Sequence, residues 1–418
     1  MGLIARLTGR PAGDGGPDIA SPAHKADPFP FYARLRAESP VHHVTLRGGM
    51  SVWLVVRYDD VVAILRDERF AKDRLSALTP DQIRKQPWIP PTFRPLTRNM
   101  LDLDPPDHDR LRALVQKAFT PRLVEGLRPR VQALADGLLD GLRGRPGFDL
   151  IRDYALPIPT TVIAEMLGVP AADRHRFQRW SKAIVATDPS GLGMLLVVPH
   201  VWRFLRYIRR LIRAKRAAPA GDLLTALIQA EEAGDRLTED ELLAMTFLLL
   251  VAGHETTVNL IGNGTLALLE HPHQLDRLRR DPGLIKPAVE ELLRYASPLE
   301  TATERFTRED VTVAGVTIPR GAMVFAAIAS ANRDSGQFPD PNALDVGREP
   351  NKHLSFGLGP HYCLGAPLAR LEGQVAIATL LRRVPQLRSA VTPTALRWRR
   401  GLVLRGLESL PVLIDRWA

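Results

Sequence analysis

The sequence predicts a single large, mainly helical domain with a small β portion. Apolar residues recur at helical spacing through most of the 418-residue chain after Asp60. Alternating apolar patterns, which are typical of strands, are confined to short runs near the start, the middle and the tail. No internal repeat and no linker divides the chain into autonomous halves. A composition of 45% hydrophobic and 24% charged residues excludes a disordered protein.

The first residues predict a different organisation from the rest. Residues 9–30 are rich in Pro, Gly and Asp, which favour turns and irregular chain. We therefore expect residues 1–24 to form a flexible lead-in and residues 25–418 to form the folded domain.

The elements of that domain follow from local patterns. Short strands are expected after a first helix, and helical periodicity then dominates. The expected strands lie near residues 41–46 and 52–56, and the expected early helices lie over residues 31–38, 107–118, 124–141, 159–167, 171–186 and 200–217.

The longest helix has the clearest start signal in the chain. Thr238 and Glu241 form a capping box, in which each side chain can satisfy a free backbone N–H of the first turn. The apolar pattern then continues to about Glu270, roughly 48 Å at 1.5 Å per residue. Later elements are a helix from Pro282 to Ser297, a hairpin around Gly315, a helix over residues 364–383, and a β-like pair at residues 402–405 and 411–414.

Charge, cysteine count and apolar runs limit the class of protein. The 56 Lys and Arg exceed the 46 Asp and Glu by 10, so a basic surface could meet an acidic partner, although most of these cations are expected on solvated helix faces. Cys363 is the only cysteine, which excludes an intrachain disulfide. The longest apolar run, residues 242–253, is too short for a membrane span. We expect a cytoplasmic monomer that binds no nucleic acid.

Two apparent motifs fail in their context. His254-Glu255 resembles the start of a zinc-protease motif, but position 258 is Val rather than His. Gly262-x-Gly264-x-x-Ala267 matches a dinucleotide fingerprint, but it lies inside a predicted helix with no strand before it. Neither supports a cofactor site.

The lone cysteine lies in a glycine-rich loop before a helix. The pattern is Phe356-x-x-Gly359-x-x-x-Cys363-x-Gly365. The first N–H groups of the following helix would stabilise a thiolate. This local pattern is compatible with a metal ligand, with a buried structural thiol, or with a cysteine hydrolase in which His361 acts as the base.

This loop resembles the haem-binding signature of the cytochrome P-450 superfamily. The resemblance implies a P-450 fold, haem b as cofactor and Cys363 as the axial ligand of the haem iron. It also implies that Phe356 packs beside the sulfur and that Gly365 allows the close approach of the flat cofactor.

The centre of the long helix carries a second matching motif. Ala252-Gly253-His254-Glu255-Thr256 resembles the family's oxygen-activating segment. The resemblance implies that Ala252 lies against the haem, that Thr256 steadies bound oxygen and that Glu255 lies on the proton path. The alternative is a structural kink, in which threonine side chains bond back to helix carbonyls.

Further residues match the family's cofactor anchors and scaffold. His108, Arg112, Arg305 and His361 resemble the partners of the haem propionates, for which arginine is suited. Glu291-x-x-Arg294 matches the family's Glu-x-x-Arg motif, with Arg348 as the expected third member of a structural triad.

The resemblance implies a monooxygenase that inserts one oxygen atom of O2 into a C–H or C=C bond of a hydrophobic small molecule. Electrons would come from NAD(P)H through a ferredoxin reductase and a ferredoxin. The expected substrate pocket is lined by Leu248, Val251, Thr301 and Leu402, with residues 88–100 and 188–198 as lids. A peroxygenase that uses H2O2, and a haem-binding sensor without activity, are the alternatives.

Overall fold

The computed structural model describes residues 17–46, 49–84, 96, 98–174, 176, 179–180, 192–232 and 234–417. Helices dominate these residues, as the sequence predicts. The helices are Pro22–Ala26, Phe29–Glu38, Tyr58–Arg66, Arg74–Ala77, Pro80–Arg84, Asp107–Ala118, Pro121–Gly126, Arg128–Asp140, Pro157–Met166, Leu192–Ala217, Leu223–Gln229, Glu239–Glu270, Pro272–Arg280, Ile285–Ala296, Ile328–Ala331 and Ala366–Arg383.

The β portion of the described chain consists of small sheets. The five-stranded sheet has the order Val41–Thr45, Ser51–Val55, Met323–Ala326, Arg305–Thr307 and Phe70–Ala71. A three-stranded sheet has the order Gln386–Ser389, Pro411–Arg416 and Gly147–Asp149. Two hairpins complete the set, Glu231–Glu232 with Asp235–Arg236 and Val311–Val313 with Val316–Ile318.

The long helix Glu239–Glu270 forms the axis of the core. Its capping box is present as predicted, with the Thr238 side chain accepting from the Glu241 backbone N–H. It packs against the helices Pro157–Met166, Ile285–Ala296 and Ala366–Arg383. By length and composition alone it could cross a membrane, but 61% of its most apolar window is buried inside the protein. Its apolar composition is therefore accounted for by packing within the core.

The end of the predicted lead-in packs onto the tail of the chain. Ile19 is 2% exposed, and Asp18 forms an ion pair with Arg400 at 2.6 Å. Lys25 donates a buried hydrogen bond to Glu300 at 2.6 Å. Residues 1–16 lie outside the described residues, so the flexible lead-in remains a prediction there.

Several element boundaries differ from those the sequence predicts. The expected helix over 124–141 is two helices that meet at Leu127, just before Pro129, because proline favours the first turn of a new helix. Residues 402–405 do not pair with 411–414; Leu404 bridges to Leu299 instead. Most of the predicted helix over 171–186 lies outside the described residues.

Candidate functional site

The cysteine loop is held in shape by its own backbone. The Cys363 N–H donates to the Phe356 carbonyl at 2.9 Å, closing the loop. Gly359 has φ +74°, and a Cβ at this position would lie 2.9 Å from the Leu65 carbonyl oxygen. Only glycine therefore fits here without strain. The helix Ala366–Arg383 starts three residues after the cysteine.

The Cys363 side chain is exposed but closely surrounded by protein. This burial among protein atoms raises the pKa of its thiol. The Gly365 N–H, the Arg112 and Arg370 guanidinium groups and the Ala366 N–H each lower the pKa by smaller amounts. The effect of burial on the pKa of Cys363 is thus larger than the opposite effect of the first N–H groups of the helix. A metal cation bound to the sulfur would favour the thiolate.

The geometry does not support the cysteine hydrolase. Among the described contacts, Cys363 has no hydrogen bond to a histidine. The His361 ring instead stacks on His108, with ring centroids 4.2 Å apart. Its pKa is lowered to about 2 by burial and by the cations around it, first of all His108. A nucleophile and its base must be within hydrogen-bond reach, and His361 is not so placed.

The four predicted anchors gather into a cationic cluster beside the cysteine loop. We define the cationic cluster as His108, Arg112, Arg305, His361 and Lys72, and the other four members each lower the pKa of His361. Burial lowers the pKa of Arg305 to about 10, with Asp104 as the one carboxylate that opposes this.

Two nitrogens of the cationic cluster lack a partner. Nε2 of His108 and Nε of Arg305 are buried without a hydrogen bond. Arg112 Nη2 donates to the Tyr362 carbonyl, next to the cysteine, at 2.9 Å. Buried polar atoms without a partner are costly, and the side chains of Arg112, Arg305 and Lys72 bring positive charge to the same place. The donor set therefore fits an anionic group such as the paired propionates of haem.

Lys72 was not identified from the sequence. It is buried, and its Nζ donates to Thr303 Oγ1 at 2.8 Å and to the Glu304 carbonyl at 2.7 Å. Burial lowers its pKa to about 8. It joins the cluster from the strand Phe70–Ala71, more than 200 residues from Arg305, so no spacing pattern could indicate it.

The long helix presents one accessible strip in the middle of the core. Leu248 and Thr256 are half-buried and Ala252 is exposed, at a spacing of four residues, whereas Leu250, His254 and Val258 are buried. Residues four apart share one face of a helix. Since core packing surrounds the rest of the helix, this strip borders an internal space.

Thr256 and Glu255, the two residues expected to act on oxygen and protons, have different hydrogen-bond partners. Thr256 Oγ1 donates to the Ala252 carbonyl at 3.2 Å, which is the back-bonding of the structural alternative. Glu255 is buried, and its two carboxyl oxygens accept from Nη1 of Arg399 at 2.9 and 2.8 Å. Sequence reasoning missed Arg399, because it lies 144 residues away in the tail.

The expected pocket residues are only partly brought together. Val251, like Leu248, is half-buried on the long helix. Thr301 is buried, and its hydroxyl donates to the carbonyl of Leu402 at 3.2 Å, so these two adjoin. Of the predicted lids, residues 88–100 lie mostly outside the described residues, and Met100 at their end is buried in the main core. Residues 192–198 of the second lid form the start of the helix Leu192–Ala217.

The three expected scaffold residues are in contact. Glu291 and Arg294 are fully buried, and their carboxylate and guanidinium form two hydrogen bonds of 2.7 Å. Arg348 Nε reaches Glu291 Oε1 at 3.2 Å. Arg294 also donates to the carbonyls of Asn332, Pro341 and Ala343, which belong to the irregular chain before the cysteine loop.

A second ion pair, between Arg370 and Glu290, supports the cysteine loop and was not predicted. Arg370 stacks on the Phe356 ring, with 4.4 Å from Cζ to the ring centroid, and donates to Glu290 at 2.8 and 2.9 Å. The pKa of Glu290 falls to about 2, because hydrogen bonds from His353 and Arg370 outweigh its burial. Phe356 is thus fixed beside the cysteine by a neighbouring helix.

No group of three His, Cys, Asp or Glu side chains in the described part of the chain is arranged to hold a bare metal ion. A thiolate at Cys363 can supply one ligand to a metal that a prosthetic group holds through its other ligands.

Comparison with known proteins places this site in a family. The family model described as Cytochrome P450 matches residues 42–282 and 283–387. The chain is 47% identical over 395 residues to the cytochrome P450 monooxygenase PikC of Streptomyces venezuelae, covering 94% of this chain and 91% of that protein. It is 44% identical over 393 residues to the polyketide biosynthesis cytochrome P450 PksS of Bacillus subtilis, covering 93% and 96%.

Solved structures agree on the fold. The structure of PksS superposes with a TM-score of 0.89 at 43% identity, covering 95% of this chain and 99% of that one. The structure of P450BioI, in complex with hexadec-9Z-enoic acid ligated acyl carrier protein, has a TM-score of 0.85 at 38% identity, covering 95% and 100%. The chain described here belongs to the cytochrome P450 family and is a haem-binding monooxygenase.

Proposed function

We propose that this enzyme oxidises a large hydrophobic small molecule of polyketide or fatty acyl type, by hydroxylation or epoxidation. The observation that carries the haem-dependent oxidation is the cationic cluster beside Cys363, with its two buried nitrogens that lack partners. The names of PksS and of the P450BioI complex support this substrate class. Electrons would come from NAD(P)H through a ferredoxin reductase and a ferredoxin, and the proposed location is the cytoplasm.

In this proposal the chain holds haem b from two sides. Cys363 would bind the iron, and Gly365 would leave room for the porphyrin close to the sulfur. The orphan nitrogens of His108 and Arg305, together with Arg112, His361 and Lys72, would receive the propionates. When bound, haem activates O2 so that one oxygen atom enters the substrate and the other leaves as water.

The residues around Cys363 shift the pKa of its thiol. N–H groups of Gly365 and Ala366 and the charge of Arg112 favour the thiolate against the cost of burial. Arg370 holds Phe356 beside the loop and limits the access of water. The Glu291–Arg294–Arg348 triad fixes the backbone that leads into the loop, which is a structural role.

On the long helix, Glu255 and Thr256 would transfer protons toward the internal space. Glu255 is held by Arg399, so it can pass a proton toward the internal space only when one of these contacts opens. The Thr256 hydroxyl would exchange its bond to the Ala252 carbonyl for a bond to a water molecule in the internal space. Arg399 is thus a positioning residue that acts through Glu255.

The walls of the pocket would select an apolar substrate. Leu248, Val251, Ala252 and Leu402 offer aliphatic surface, and the hydroxyl of Thr301 is occupied by the Leu402 carbonyl. A substrate there gains free energy chiefly by leaving water, at about 25 cal/mol per Å² of apolar surface.

The test is a reduced carbon monoxide difference spectrum of the purified enzyme, followed by turnover with a surrogate ferredoxin and reductase under labelled O2. We expect the spectrum of a thiolate-bound haem and one labelled oxygen atom per product. Cys363→Ala should abolish both. A colourless protein, or oxidation that survives this change, would refute the proposal.

The peroxygenase alternative is separated by Thr256→Ala. For the oxygen-activating route we expect product per NAD(P)H to fall while activity with H2O2 survives. Product formed with H2O2 but not with O2 and electrons, in the parent as in the variant, would favour the peroxygenase. A sensor would bind haem normally and form no product in either assay.

A further inference from the structure

The helix Leu192–Ala217 carries a strongly one-sided charge. Between Arg203 and Arg216 the sequence has seven Lys or Arg residues and no acidic residue, in a chain whose net charge is +10. A local charge of this size creates a field that acts over the solvent around the helix. Such a field would attract a negatively charged partner to this helix.

The buried side of this helix lies over the N-terminal half of the long helix. Val201, Phe204 and Ile208 are buried, and the Phe204 ring meets Phe247 edge-on, with centroids 5.8 Å apart. Phe247 directly precedes the pocket-lining Leu248. The charged helix therefore forms part of the roof over the accessible strip of the long helix.

The outer side is a continuous basic face with one aromatic residue. We define the basic face as Trp202, Arg203, Arg206, Arg210 and Arg213, all exposed. Spacings of three and four residues place them on one side of the helix over roughly 16 Å. Trp202 is 45% exposed, and the Arg206 guanidinium lies 5.4 Å from its ring centroid.

The arginines of the basic face have no acidic partner within the described residues. None of the four forms an ion pair with a described carboxylate, whereas their neighbours on the same helix do. Lys215 pairs with Asp222, and Arg216 lies 3.6 Å from Glu239. Four like charges that are held together without counter-charge favour an acidic partner.

We propose that the basic face docks an acidic carrier protein that delivers its substrate as a tethered acyl chain. The proposal rests on the proposed function and names the form in which the substrate arrives. A carrier protein bound to the basic face would place the attachment point of its acyl chain close to the space bordered by Leu248 and Ala252. The complex of the related P450BioI with an acyl-loaded carrier protein supports this class of partner.

The distribution of side chains argues against a membrane as the occupant. A membrane-binding helix needs a broad apolar side that enters the lipid. On the outer side of the described part of this helix, large apolar groups are confined to Val198 and Trp202, at one end. A single exposed Trp amid arginines is typical of a protein interface.

The experiment compares two variants with equal change in net charge. Arg206→Glu/Arg210→Glu/Arg213→Glu reverses the basic face. Arg34→Glu/Arg280→Glu/Arg397→Glu reverses three exposed arginines elsewhere and serves as the control. The probes are an acyl carrier protein loaded with a hexadecenoyl chain and free hexadecenoic acid. Calorimetry measures carrier binding, and the haem absorbance shift measures entry of the chain.

We expect reversal of the basic face to weaken carrier binding about tenfold or more, to abolish its salt dependence and to leave the Kd of the free acid within about twofold. The control variant should bind both probes like the parent. Trp202→Ala should weaken only the carrier.

Unchanged carrier binding in the reversed variant, or equal losses in both triple variants, would overturn the docking proposal. Binding of mixed phosphatidylglycerol and phosphatidylcholine vesicles through the basic face, without carrier binding, would also overturn it in favour of a membrane. The carbon monoxide spectrum is recorded on the same samples, so a failure to bind haem, which concerns the proposed function, is distinguished from a failure to dock.

Discussion

Glu372 is a buried acid whose replacement should make the protein more stable at neutral and alkaline pH. It lies on the helix Ala366–Arg383, close to Thr257 of the long helix, and is 1% exposed. Neither of its carboxyl oxygens makes a hydrogen bond of good geometry. Burial raises its pKa to about 8, and the Thr257 side chain opposes this only in part.

The sign of the effect follows from proton linkage. Between pH 4.5 and 8 the unfolded chain releases this proton, whereas the folded protein keeps it. The folded state then binds more protons, so stability falls as pH rises through this window. A pKa raised from 4.5 to about 8 corresponds to a loss of about 5 kcal/mol at most, at about 1.4 kcal/mol per pH unit.

The measurement is the free energy of unfolding in urea at pH 5 and pH 8. Glu372→Gln keeps the shape of the side chain and removes the titration. We expect it to resemble the parent at pH 5 and to be more stable at pH 8 by several kcal/mol. The exposed Glu68→Gln is the control and should leave the difference unchanged. An identical pH dependence of the parent and Glu372→Gln would show that the carboxyl is not held in its protonated form.

Three further results are expected. Arg399→Gln should lower product per NAD(P)H by up to about tenfold and leave the carbon monoxide spectrum unchanged, with partial recovery in Arg399→Lys; full coupling in the Gln variant would contradict the positioning role. Arg294→Ala should cost about 3–5 kcal/mol in urea unfolding, because it leaves the buried Glu291 unpaired; a cost below about 1 kcal/mol would contradict this reasoning. Lys72→Met should speed haem loss to a scavenging globin severalfold. The haem-free protein should gain stability below pH 8, because the native lysine, whose pKa is about 8, must give up its proton or its hydration on burial. Unchanged haem loss would remove Lys72 from the cofactor site.

The features that the sequence predicts well are those encoded by local spacing. The capping box at Thr238, the Glu291–Arg294 pair and the loop from Phe356 to Gly365 each depend on residues within ten positions of one another. Helix periodicity and turn chemistry determine such contacts locally, whatever the rest of the chain does.

The features that the sequence does not predict depend on contacts across the fold. Lys72 meets Thr303 across 231 residues, and Arg399 meets Glu255 across 144. Both are single charged residues in unremarkable surroundings, so only the topology assigns them a role. The direction of the Cys363 pKa shift was also missed, since the cost of burial depends on the surrounding atoms rather than on the neighbouring sequence.

The ion pair between Arg399 and Glu255 connects two parts of the site that are far apart in sequence. Arg399 lies three residues before Leu402, a proposed wall of the pocket, and its neighbour Arg400 holds Asp18. A molecule that presses on this tail segment would disturb the hold on the acid as well as the fit of the wall. Discrimination between substrates should then show up in the fraction of reducing equivalents wasted, more than in how tightly each compound is bound.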